Sequence, residues 1–299
     1  GHEVLPVGVS SDLAVVRRAM DDFRPHITFN LLEEFHGITS YDQHVVAFLE
    51  LLKKPYTGCN PRGLMLARDK ALAKKVLSFH RIPVPRFHVF PMGRRLSKPR
   101  HLRLPAVVKS LTAEGSEGIS RASLVHSEEK LFERAAFIHR HVGTDALAEQ
   151  FIQGRELYVG VLGNQRLTTL PVWELRLENV PEDVPLIATS RLKWNPDYQK
   201  KVGYRLSRAK GLSPELEKNI ARLSKRIYRR LGLSGYARLD YRLAEDGRVF
   251  LLEANPNPQI SHDAEFALAA KHAGIAYPDL LRRILNLGLS YRAAWKGES

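Results

Sequence analysis

Apolar and polar positions along this chain fall into three patterns. Residues 1–61 mix short apolar runs with helix-like periods. Residues 4–9 read as a strand entered mid-pattern, and residues 26–30 as a second short strand. Ser40-Tyr41-Asp42-Gln43 has the spacing of a capping box and opens an apolar-periodic helix to Leu52. Such alternation predicts an α/β unit with a parallel sheet, here a truncated one that lacks its first strand and helix. Pro55, Gly58 and Pro61 then break the pattern.

Residues 62–148 begin with a helix from 64 to about 79, closed by Pro83 and Pro85. Strands at 87–90 and 105–109 follow, then the small-residue loop Glu114-Gly115-Ser116-Glu117-Gly118 and a helix from about 127 to 141. Residues 149–299 start with strands near 157–162 and 167–173. A long polar stretch, 178–211, holds seven basic residues and one acid between 191 and 210, which predicts a lid or binding loop. Ser213 as N-cap and Pro214 at the first helical position open a helix striped by Leu216, Ile220, Leu223, Ile227 and Leu231. Two strand-like runs, 236–243 and 248–254, flank Asp246-Gly247, a strong hairpin signal. Helical segments close the chain at about 262–273 and after Pro278. The patterns divide the chain at 1–61, 62–148 and 149–299.

Composition narrows the function class. At 44% apolar, 299 residues suffice for two or three small cores, and no run approaches the ~20 apolar residues of a membrane helix. The single cysteine, Cys59, excludes an internal disulfide and points to a reducing, cytoplasmic setting. A net charge of +14 suits an anionic ligand: a nucleotide, an acidic substrate or nucleic acid. The helix after Ser213 carries Lys218, Arg222, Lys225, Arg226, Arg229 and Arg230, but no aromatic interleaving or reader motif accompanies it, so nucleic acid is not the expected partner. Walker A, dinucleotide, kinase, zinc and nucleophile-elbow signatures are all missing.

The hairpin holds the densest chemistry. Residues two apart on a strand share a face, so Arg238 pairs with Asp240 on the first strand and Glu253 with Asn255 on the second. If the two faces coincide, three oxygen ligands suited to Mg²⁺ converge beside a guanidinium. Carboxylates in an apolar strand such as Val249-Phe250-Leu251-Leu252 are costly unless they are used. Lys109, at a strand end before a glycine-containing loop, is placed to meet a phosphate.

These motifs make the chain resemble the ATP-grasp superfamily, and within it the D-alanine–D-alanine ligases, from about residue 29 to 285. The hairpin from Gly235-Tyr236-Ala237-Arg238-Leu239-Asp240 to Leu251-Leu252-Glu253-Ala254-Asn255 carries the resemblance most strongly, supported by Tyr56-Thr57-Gly58 and Arg68-Asp69-Lys70. The resemblance implies an ATP-grasp fold with a truncated Rossmann-like N-terminal domain, and an ATP-dependent ligase joining a carboxylate to an amine through an acyl-phosphate. It implies ATP and Mg²⁺, or Mn²⁺, as cofactors, an amino acid or peptide as substrate, and a homodimer as an allowed assembly. Lys70 and Lys109 would bind phosphates under a loop around Ser116. Glu149 and the backbone at Ile152 would hold adenine, and Glu156 the ribose. Lys193 would reach the γ-phosphate from the basic loop. Asp240, Glu253 and Asn255 would ligate the metal, and Arg238 would stabilise the tetrahedral adduct.

The chain departs from the ligases on the substrate side. The upstream strand and glycine-rich turn that hold the first D-alanine have no counterpart. Pro256-Asn257-Pro258-Gln259-Ile260-Ser261 replaces a Thr-Ser-Pro-Gly-Met-Thr type run, Ala264-Glu265 replaces a Ser-Leu pair, and Glu117 stands where a small residue is usual. The resemblance therefore implies the chemistry and not the D-alanine substrate. Glu265 would instead pair with an amine or guanidinium of a different substrate. A nucleotide-binding regulator that has lost ligation is the competing reading.

Overall fold

The computed structural model describes residues 1–97, 99–113, 118–181 and 185–297. Helices α1 (Ala14–Asp22), α2 (Asp42–Leu51), α3 (Pro61–Arg68) and α4 (Lys70–Phe79) come first. Strands β1 (Phe87–Phe90), β2 (Ala106–Ser110) and β3 (Leu124–Val125), helix α5 (Glu128–His141) and strand β4 (Ala146–Gln150) follow. Next come β5 (Arg155–Leu162), β6 (Thr168–Thr169), β7 (Trp173–Leu177), α6 (Ser190–Trp194), α7 (Pro196–Val202), β8 (Tyr204–Arg208) and α8 (Pro214–Arg230). The chain ends with β9 (Tyr236–Leu243), β10 (Val249–Pro256), α9 (Glu265–His272) and α10 (Tyr277–Ser290).

Two antiparallel sheets organise these elements. The smaller has the order β1-β4-β2-β3 and packs α5 on one side, where Leu131, Ala135 and Ile138 meet Ala106, Val108 and Ala148. The larger has the order β10-β9-β5-β7-β8, with β6 on β5. Alternation along β5 and β9 sends Leu157, Val159, Val161, Leu239 and Tyr241 to one face, against Ile220 and Ile227 of α8. Tyr158, Leu162 and Tyr236 go to the other, against Phe266 of α9 and Ile284 of α10. Among the described residues no helix is long and apolar enough to cross a membrane.

Several expectations are corrected. Residues 4–9 form no strand: Val4, Leu5 and Val7 are exposed, and among the described residues nothing pairs with them to satisfy a strand's backbone. Residues 26–30 contribute one parallel bridge, Thr28 to Tyr56, in place of a sheet strand. The capping box at Ser40 does not form, because a 3₁₀ turn, Thr39–Tyr41, leads directly into α2 without a side-chain cap. The single helix expected at 64–79 is two. Asp69 turns extended and its carboxylate caps Ala71 and Leu72, at 2.9 and 2.8 Å, while Asn60 and Pro61 start the first piece. The strand expected at 167–173 is split between β6 and β7. The polar stretch 178–211 is not a bare loop; it folds into α6, α7 and the edge strand β8.

Close glycine contacts fix residues 56–60 against the large sheet. A Cβ on Gly235, at φ +69°, would meet the Gly58 carbonyl oxygen at 2.5 Å, and one on Gly58, at φ +92°, would meet Asn257 Oδ1 at 2.4 Å. Asn257 Oδ1 also accepts the Cys59 N–H at 2.7 Å. Nearby, Arg68 places Nε and a terminal nitrogen on Asp42 Oδ2, and the two residues are 6% and 1% exposed. Truncating one member of a buried ion pair costs about 3–5 kcal/mol, because the other charge keeps its desolvation cost. Asp42→Ala should lose about that much in urea unfolding; a loss under about 1 kcal/mol would show that the pair adds little to stability.

Candidate active site

The hairpin brings together the residues expected of it. Asp240 lies opposite Glu253, and Asn255 opposite Arg238, so all four share one face. On the other side of β9, Tyr158 pairs with Asp240 and Glu156 with Arg242, which extends the same face across β5. The sequence pattern could not guarantee this coincidence. An extra residue between Leu251 and Glu253 shifts the register and turns Glu253 to the Asp240 side.

Arg238 is held from three directions. Its Nε and one terminal nitrogen donate to the two oxygens of Asp240 at 2.8 and 3.0 Å. Its other terminal nitrogen lies 3.6 Å from Glu265 Oε1, and its guanidinium sits 5.1 Å from the Tyr158 ring centroid. Beside it, Glu156 accepts the Tyr158 hydroxyl at 2.7 Å and pairs with Arg242 at 2.8 Å. Burial raises the Tyr204 phenol to about 12, with Glu265 adding to the rise.

A second set of charges lies at the boundary of the two sheets. Lys70 reaches the Ala113 carbonyl at 2.7 Å and Glu253 at 3.2 Å. Glu149, 3% exposed, receives Lys109 on one oxygen and Lys74, at 2.9 Å, on the other. Burial alone would raise the Glu149 carboxyl; the two ammonium groups hold it below the usual range. Burial lowers Lys70 and Lys74, whereas for Lys109 the glutamates outweigh burial and raise it.

Between the sheets opens a cleft of about 100 Å³. Val107, Lys109 and Phe151 line it on one side, Asp240, Arg242 and Glu253 on the other. Ile119, Ile187, Ala188 and Lys193 cover it. The cover is joined across the sheets by Ser190 N–H to the Ile119 carbonyl at 3.2 Å and by Arg121 to the Tyr198 hydroxyl at 3.2 Å. At the hinge after β4, Gln150 and Phe151 donate their backbone N–H groups to Arg86 and Pro105, while the Ile152 N–H finds no acceptor among the described residues.

Of the sequence candidates, Lys70, Lys109, Glu149, Ile152, Glu156, Lys193, Arg238, Asp240, Glu253 and Asn255 converge on this cleft and its rim. Ser116 lies outside the described residues. Glu149 lines the same cleft, and its two carboxylate oxygens pair with Lys109 and Lys74. Lys74, Tyr158 and Arg242 were missed. A signal existed for two of them, since Lys74 is four residues after Lys70 on one helix face, and Arg242 is two after Asp240 on one strand face.

The donor set fits a divalent cation. Asn255 buries its amide nitrogen without a hydrogen-bond partner among the described residues, and it shares the hairpin face of Asp240 and Glu253. Burial would raise Glu253, but Lys70, Lys109 and Lys193 bring it down to about 2, so it is ionised at any working pH. Hard, ionised oxygens of this kind suit Mg²⁺ or Mn²⁺. The depressed pKa also has a stability consequence. The fold favours the ionised form, so this contribution is complete above the usual 4.5 and is lost as the pH falls through about 2. Glu253→Gln should flatten the acid limb of the stability curve over that window; an unchanged limb would mean that the lysines do not act on this carboxylate.

Comparison with known proteins agrees with this geometry. The protein-family model described as D-ala D-ala ligase C-terminus matches residues 77–286. The chain is 32% identical over 290 residues to the D-alanine--D-alanine ligase of Desulforudis audaxviator, covering 96% of this chain and 88% of that protein. It is 33% identical over 265 residues to that of Desulfotalea psychrophila, covering 88% and 79%. The crystal structure of D-alanine--D-alanine ligase from Bacillus anthracis complexed with ATP shares the fold at a TM-score of 0.74 and 22% identity, over 95% of this chain and 85% of that one. The chain belongs to the D-alanine–D-alanine ligase family and has the ATP-grasp fold of these carbon–nitrogen ligases.

Proposed function

We propose that the protein is an ATP-dependent carboxylate–amine ligase that acts through an acyl-phosphate on an amino acid or peptide and releases ADP and phosphate. The observation that carries the reading is the shared face of Arg238, Asp240, Glu253 and Asn255 at the floor of a cleft walled by lysines. Adenine would lie at the hinge, with the Ile152 N–H donating to a ring nitrogen. Glu156 has both oxygens bonded already, but a carboxylate offers about four acceptor sites, so ribose hydroxyls can share it. Lys70, Lys109 and Lys193 would offset the phosphate charges; on this reading the two sheets are the subdomains that grip the nucleotide.

A substrate carboxylate oxygen attacks the γ-phosphorus and ADP leaves; an amine then attacks the acyl carbon, and phosphate leaves with that oxygen. Asp240, Glu253 and Asn255 would hold Mg²⁺ or Mn²⁺, which when bound neutralises the phosphoryl oxygens. Arg238, fixed by Asp240 and Tyr158, is set to stabilise the oxyanion of the second step without reorganising. The helices over the cleft exclude the water that would hydrolyse an acyl-phosphate.

The test is phosphate release with Mg²⁺ and ATP across amino acids and dipeptides, singly and in pairs. Release that needs a pair, yields a product of the pair's mass less water, and disappears in Glu253→Ala supports ligation. Release that is the same with and without amine would show an ATPase.

A further inference from the structure

Leu252 is the extra residue of the catalytic hairpin. The pairs Val249–Leu243 to Leu251–Tyr241 and the pairs Glu253–Asp240 to Pro256–Ala237 belong to registers one residue apart. Side chains alternate along a strand, so a one-residue slip sends every later side chain to the opposite face. In the uninterrupted register Leu252 would oppose Asp240. Glu253 would then oppose Leu239, on the face that packs against Ile220 and Ile227 of α8. The bulge therefore decides whether Glu253 joins Asp240 at all.

A bulge takes backbone groups out of the ladder, and these need partners elsewhere. The Leu251 N–H donates to the Pro83 carbonyl at 3.0 Å. The Leu252 carbonyl accepts from Lys74 Nζ at 2.6 Å. Lys74 is 2% exposed, and among the described residues the other contact of its ammonium is Glu149, at 2.9 Å. Glu149 in turn holds Lys109. Burying an ammonium this deeply is costly, and packing alone would be met by an aliphatic side chain. Its two contacts join the carbonyl that marks the change of register to the glutamate that anchors a cleft lysine.

We propose that Lys74 is a positioning residue: through the Leu252 carbonyl it holds the bulge that turns Glu253 onto the Asp240 face, and through Glu149 it fixes Lys109. Its metal consequence rests on reading Asp240, Glu253 and Asn255 as cation ligands; its backbone consequence rests on the hairpin alone.

The experiment compares wild type, Lys74→Met and Lys74→Arg by two readouts. Hydrogen exchange over residues 249–256 should quicken about tenfold or more in Lys74→Met and stay near wild type in Lys74→Arg, which keeps a charged donor. Mn²⁺ titration by electron paramagnetic resonance, with a non-hydrolysable ATP analogue present, should show affinity about tenfold weaker in Lys74→Met. In a Glu253→Gln background the same change should have no further effect on Mn²⁺, because there is then no carboxylate to misplace. Unchanged exchange in Lys74→Met overturns the proposal, and so does a Mn²⁺ loss as large in the Glu253→Gln background as in the wild-type one. If wild type binds no Mn²⁺, the cation reading of the hairpin fails and exchange alone decides the role of Lys74. If Lys74→Met does not fold, Lys74→Gln replaces it, being too short to bond the Leu252 carbonyl.

Discussion

Glu253→Gln is expected to lower ATP-dependent turnover by about a thousandfold while leaving the protein folded. Its carboxylate lies opposite Asp240 across the hairpin and 3.2 Å from Lys70, and it is held ionised down to a pH of about 2. On the ligase reading it supplies charge to the cation that neutralises the phosphoryl group in transfer. Losing that stabilisation, about 4 kcal/mol, corresponds to about three factors of ten in rate. The amide keeps the shape but not the charge, so the effect should fall on kcat more than on the KM for ATP. Steady-state phosphate release checks this. A fall of less than about tenfold would take Glu253 out of the chemistry.

The second large effect is expected at Glu149, and on stability. Lys74 and Lys109 both depend on this one carboxylate, in a setting where it is 3% exposed. Glu149→Gln leaves two ammonium groups near each other without their shared counter-charge, so the variant should lose about 3–5 kcal/mol in urea unfolding. Its preference for ATP over GTP, read by competition calorimetry with the two nucleotides, should shift if the carboxylate also meets the base as the sequence suggested. A stable variant would show that the ion pairs add little, and an unchanged base preference would remove the adenine role.

The hairpin was legible because its signals are local. Asp246-Gly247 marks the turn, and alternation places Arg238 with Asp240 and Glu253 with Asn255. What alternation could not supply was the relation between the two strands. That depends on Leu252, whose bulge is braced by Lys74 from a helix 178 positions away in sequence. Helix α8 was equally legible, since Ser213 caps it, Pro214 starts it, and of its stripe Ile220, Ile227 and Leu231 are buried while Leu216 and Leu223 pack against the same core partly buried. The N-terminal segment was not. Residues 4–9 look like a strand only while no partner is required of them, and among the described residues they have no strand partner. The stretch 178–211 misled in the opposite sense. Its polarity suggested a bare loop, yet Thr189 and Asn195 cap the short helices α6 and α7, and Tyr204–Arg208 pairs along β7. Helices this short carry little apolar period, so caps were their only signal.

The ion pairs of Glu149 were not legible for a related reason. A carboxylate at the end of a strand before the hinge is equally compatible with a base contact and with an ion pair. The packing of α4 against the sheets, which carries Lys74 to Glu149, supplies the ion pair. The spacing of Arg242 from Asp240 placed it on the same face, but its pairing with Glu156, on another strand, had no local signal.

The most direct test of the central claim follows an oxygen atom. The protein is incubated with ATP, Mg²⁺ and a pool of amino acids and dipeptides carrying ¹⁸O in both carboxylate oxygens, and the phosphate released is weighed by mass spectrometry. An acyl-phosphate route predicts one ¹⁸O in each phosphate whose release depends on the pool. Pool-dependent release of unlabelled phosphate, or of pyrophosphate with AMP, would contradict it.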